Sequence, residues 1–146
     1  MRSSLPVVVA LGLTTSACYV TVRGQATTGA DRLETTVGLE LIAPRPPHVF
    51  VTNFSDHDVM AGYGRTTPVA DVLVVPYVGG VWRHADVAGA NASALGLEAG
   101  AAVPLHHFLL TTGVQATTGD ADLLAAFVGG GVDLIGLLCP PCGTTE

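Results

Sequence analysis

The sequence predicts an all-β protein, a small antiparallel up-and-down barrel of about eight strands that follows an N-terminal signal segment. Three observations carry this prediction. Hydrophobic residues make up 49% of the 146 residues and charged residues only 12%, about half the charge of an ordinary soluble domain. Beyond residue 17 no run of about 20 apolar residues exists that could form a membrane-spanning helix. Apolar residues instead alternate with small or polar ones at a period of two, punctuated by glycine and proline, which is the pattern of strands.

The strands follow in order. The first covers about 19–27. The second covers 33–43, with Leu33, Thr35, Val37, Leu39, Leu41 and Ala43 on one face and Glu34, Thr36, Gly38 and Glu40 on the other. Two short strands are expected at 48–54 and 58–65. The fifth, about 70–83, contains Pro76, which removes a ladder hydrogen bond and implies a bulge or break. The sixth is the clearest: Leu95, Leu97, Ala99, Ala101, Val103 and Leu105 alternate with Gly96, Glu98, Gly100, Ala102 and Pro104. The seventh covers about 107–116. In the eighth, about 123–135, Ala126, Val128, Val132 and Leu134 alternate with Gly129, Gly131 and Asp133. Gln25-Ala-Thr-Thr-Gly29 recurs as Gln115-Ala-Thr-Thr-Gly119, which suggests two similar hairpins at the two ends of the domain.

The N-terminus supplies the signal segment. Arg2 gives a positive start, Leu5 to Leu13 an apolar stretch, and Thr15-Ser16-Ala17 small residues before Cys18. This resembles the lipobox of bacterial lipoproteins, departing from it at Thr15, where leucine is usual. The resemblance implies that Cys18 is lipidated and becomes the mature N-terminus; ordinary cleavage after Ala17 is the alternative. The domain division is then a signal peptide at 1–17, a β-barrel at 18–138 and a C-terminal tail at 139–146. Cysteine arithmetic favours the lipoprotein, since lipidation of Cys18 leaves Cys139 and Cys142 as an even pair.

Charge excludes a partner class. The chain has no lysine, and loss of Arg2 leaves five arginines against twelve acidic residues. A nucleic-acid binder needs a basic patch, and none is evident; an anionic lipid surface is an equally poor electrostatic partner.

The connections fall into two classes. Those at 28–32, 54–58, 84–93 and 117–122 are polar and hold six of the eight aspartates. The others are short and carry Pro44, Pro46 and Pro47, then Pro68, then Pro104. A meander places the two classes at opposite ends, with both chain termini at the short-turn end. The stretches Leu95 to Val103 and Phe127 to Ile135, apolar on one face with glycine and an occasional acid on the other, look like small outer-membrane β-barrel proteins. That resemblance is compositional and spans most of the mature chain. It departs in the absence of a terminal aromatic strand and in thin aromatic girdles. It implies an apolar outer wall, short periplasmic turns and a crowded lumen of small residues.

The candidate lumen-facing residues are Glu34, Glu40, Glu98 and Asp133, with Arg23, and Arg83 behind it, as partners. Cys139-Pro-Pro-Cys142 has redox or metal spacing but lies at the chain's end, so a structural disulfide is expected. His57 between Asp56 and Asp58 is a weak metal candidate, and His106 and His107 should point to opposite faces of a strand; no metal, cofactor or catalytic residue is assigned. The function expected is a non-enzymatic protein of the outer envelope, exported, membrane-associated and contacting an unidentified envelope partner. The alternatives are a soluble periplasmic lipoprotein, sandwich or lipocalin-like, that binds a small apolar ligand, and a redox protein using Cys139 and Cys142.

Overall fold

The computed structural model describes residues 17–28, 33–45, 47–87, 90–119 and 123–138. The expected signal segment up to residue 16 and the Cys139–Cys142 tail lie outside them. Nine strands form: β1 Ala17–Thr27, β2 Leu33–Arg45, β3 His48–Ser55, β4 Asp58–Arg65, β5 Thr67–Val69, β6 Val72–Val87, β7 Ala90–Leu105, β8 Phe108–Gly119 and β9 Leu123–Asp133. A single helical turn, α1 Leu134–Leu138, follows.

Consecutive strands pair antiparallel except β4 and β5, β1 also pairs β9, and β4 pairs β6. The sheet therefore closes as an eight-stranded barrel with no free edge, and β5 is an extra short strand on β6. The continuous period-two alternation predicts this, because each strand must keep one face toward the lumen over its whole length.

Pro76 explains why β4 and β5 are separate. Their registers on β6 are continuous: the ladder runs from Asp58↔Arg83 to Gly64↔Tyr77, stops, and resumes at Thr67↔Val74. The gap lies opposite Val75 and Pro76. A Cβ built on Gly64 would lie 2.6 Å from the Pro76 carbonyl oxygen, so the backbone edge of Pro76 faces β4, and there it has no N–H to donate. On its other side β4 continues the β3 register, the Thr66 N–H donating to the carbonyl of Pro47 at 3.0 Å.

Three boundaries differ from the sequence reading. The segment 84–93, expected to be a polar loop, is mostly strand, paired from His84↔Ser93 to Val87↔Ala90. Since β4 reaches only Arg83 and β8 only Ala94, this hairpin projects past the rim. Small residues there gave no alternation of hydrophobicity, but they pair readily with one another. His106 and His107 form the β7–β8 turn rather than strand positions; His106 has φ 52° and the two rings lie 3.9 Å apart. The last strand ends at Asp133, whose carboxylate accepts the Ile135 N–H at 3.0 Å, a side-chain cap of the kind that starts a helical turn.

Candidate functional site: an inverted barrel with a filled lumen

The two faces of the wall are chemically opposite. The outer face exposes Val22, Leu33, Val37, Leu39, Phe50 and Phe54, and further round Val78, Trp82, Leu95, Leu97, Leu110, Val114 and Val128. The lumen buries Thr21, Arg23, Gln25, Thr36, Glu40, Asn53, Asp58, Arg83, Glu98, Thr111, Gln115 and Thr117. A soluble barrel has the reverse arrangement, since burial of apolar surface is what drives its folding.

Strand parity produces this. Odd residues of β1 and even residues of β2 point inward, so Arg23 meets Glu40, and Glu98 reaches the same guanidinium from β7. Arg23 donates to Glu40 at 3.0 Å and to Glu98 at 3.1 and 3.2 Å. The Tyr77 hydroxyl donates to Glu98 at 2.8 Å. The Arg23 guanidinium carbon also lies 4.5 Å from the centre of the Phe127 ring, a cation–π contact.

A second polar layer lies nearer the projecting hairpin. Arg83 donates to Glu34 at 3.1 and 3.2 Å and to Asp58 at 3.4 Å. The Gln25 amide donates to Gln115, and Gln115 to Asp58 at 3.3 Å. At the opposite end the lumen is apolar, closed by Tyr19, Ile42, Val49, Val51, Val75 and Leu109. Large and small residues interlock across these layers. A Cβ on Gly129 would lie 2.8 Å from Arg23 Cγ, and one on Gly113 2.7 Å from the Phe127 ring. The lumen is thus a packed interior, as eight strands allow, and its buried charges are paired, as buried charges must be.

Of the sequence candidates, Arg23, Glu40 and Glu98 meet in one cluster, and Glu34 joins Arg83 in the other. Asp133 takes part in neither; it is half-buried at the strand end and caps α1. Cys18 lies within β1, partly exposed, on the same side as Val20 and Val22. Cys139 and Cys142 lie outside the described residues. Asp56 and His57 approach each other at 3.1 Å, whereas Asp58 turns inward to Arg83; among the described residues no group of three His, Cys, Asp or Glu side chains is placed to hold a metal. Sequence reasoning missed Tyr77, Gln25, Gln115, Asn53 and Asp58 as lumen groups. The signal for Asp58 was its alternation with Met60, Gly62 and Gly64.

No protein-family model and no curated protein matches the chain. Among solved structures, the chain is similar to the crystal structure of the N-terminal β-barrel domain of Pseudomonas aeruginosa OprF, with a TM-score of 0.54 and 11% identity over 83% of this chain and 98% of that one. The chain folds like that barrel. At this identity the likeness is one of fold.

Proposed function

We propose that this chain is a non-enzymatic outer-membrane β-barrel of the cell envelope, with a structural or surface-contact role, and that lipid on Cys18 gives it a second anchor. The observation that carries the reading is the inversion of the wall: leucine, valine and aromatic side chains face out, while two arginines and four carboxylates are paired within. Length supports it. The outward run Leu95 to Leu105 covers about 33 Å of strand at ~3.3 Å per residue, and a tilt of about 45° reduces this to roughly 23 Å, close to the ~25 Å apolar band of such barrels. The ion-paired lumen makes the barrel a plugged post rather than a pore. The projecting β6–β7 hairpin, on the far side of the barrel from Ala17 and Leu138, is the surface available to a partner.

The test is fractionation of wild type and Cys18→Ala followed by a carbonate wash. Retention of Cys18→Ala in the washed membrane supports an embedded wall. Its release into the soluble periplasm would refute insertion and leave the lipid as sole anchor. Incorporation of labelled palmitate that disappears in Cys18→Ala tests the lipid separately.

A further inference from the structure

Resting on the membrane-barrel reading, we infer that the outer wall carries a site for one anionic phospholipid, with its acyl chain in a groove across β4 and β6 and its phosphate at a basic pair on the rim. The groove is open and apolar, about 480 Å³, and runs over Ala61, Gly62, Gly79 and Gly80 between Phe50, Tyr63, Val78 and Leu97. Its floor is low because the outward position on β6 between Val78 and Trp82 is Gly80, where an added Cβ would meet nothing within 4 Å.

One end of this groove is basic. His48 pairs in register with Arg65, so two basic residues lie side by side across β3 and β4. His48 and Arg65 are exposed, and Arg65 has no ion-pair partner among the described residues. Tyr63 joins the two parts: it lines the groove, packs edge-on against Phe50 with ring centres 6.0 Å apart, and its hydroxyl bonds His48 Nδ1. Arg23 and Arg83 are consumed inside the lumen, so in a chain of net charge −6 this pair is a local exception. It lies at the same barrel end as Ala17 and Leu138, at the level of the periplasm-facing phospholipid leaflet. An acyl chain suits the apolar floor, and a phosphate suits the unpaired guanidinium beside it.

The test uses the full chain refolded into phosphatidylcholine vesicles that contain either phosphatidylglycerol or phosphatidylcholine brominated toward the chain ends. Trp82, the single tryptophan, faces out two residues beyond Gly80 and reports bromine at the groove by quenching. Brominated phosphatidylglycerol should quench at about fivefold lower mole fraction than brominated phosphatidylcholine, the ratio equivalent to ~1 kcal/mol per surface arginine. Arg65→Gln should abolish the preference while leaving quenching by either lipid. Gly80→Leu, whose Cβ enters open space and whose side chain fills the groove, should abolish it too. Equal quenching of wild type by both lipids would overturn the site and leave the barrel reading intact. Absence of quenching by either would overturn insertion itself, and the site with it. Quenching that disappears as protein is enriched over lipid would assign the groove to a second copy of the chain, again overturning the lipid.

Discussion

The side-chain amide of Gln25 donates to that of Gln115 across the lumen at 3.1 Å, and both are fully buried. These two residues open the two copies of Gln-Ala-Thr-Thr-Gly, so the repeat is a spatial relationship: β1 and β8 flank β9 and deliver the same side chain to the same layer. Removing one partner leaves the other amide buried and unsatisfied, whereas removing both with similar shape is nearly neutral. Gln25→Leu and Gln115→Leu should each lower the unfolding free energy in detergent by about 1–3 kcal/mol. The double variant should lose clearly less than the sum, by an interaction energy of roughly 0.5–3 kcal/mol. Strict additivity in urea titrations would show that the bond carries no stability.

Arg23 is the more expensive group to lose. It lies between Glu40 and Glu98, so Arg23→Met strands two buried carboxylates. Breaking a buried pair from one side costs about 3–5 kcal/mol. The urea midpoint of the refolded barrel should fall accordingly. Adding Glu40→Gln and Glu98→Gln should recover most of the loss, because neutral amides tolerate burial beside the Tyr77 hydroxyl. Failure of the triple variant to recover would mean that Arg23 acts through packing on Phe127 rather than through its charge.

How much of this was legible in the sequence depends on parity. The eight long strands, the inward Arg23, Glu40 and Glu98 and the outward leucines of β7 all follow from one alternation, since a residue's face is fixed by counting from its neighbours. Which acid meets which arginine is set by register and barrel closure, which alternation does not encode; Arg23 and Glu98 are 75 residues apart. The projecting hairpin was invisible for a different reason. His-Ala-Asp-Val before the turn and Ala-Asn-Ala-Ser after it lack the hydrophobic contrast that marks a strand, and pairing there is set by the two strands that feed it. Asp133 keeps the inward parity of β9, in register with Tyr19, but at the strand end its carboxylate accepts the Ile135 N–H, a role that alternation does not encode.

The outer wall makes an opposite demand from the lumen. Val128 is 66% exposed near the middle of β9, where water would accept an arginine freely. In a bilayer, Val128→Arg should cost about 2–4 kcal/mol, falling toward zero for the rim substitution Thr118→Arg. The comparison is made by titrating both variants from vesicles with urea. Equal stability of the two would place this wall in water.

Pro76 offers a test of the wall's construction. Its missing N–H faces β4, opposite the break between Arg65 and Thr67, and β5 continues the same register beyond. Pro76→Ala supplies the donor at a position whose side chain points outward, so the ladder should close and β4 run on through Val69 as one strand. Amide exchange at residues 65–69 should slow, because a paired N–H exchanges only on local opening. Little change in overall stability is expected, since the net gain from one hydrogen bond is about 1 kcal/mol. Unaltered exchange at these amides would mean that the missing donor is not what breaks the ladder, and that Pro76 merely tolerates the break.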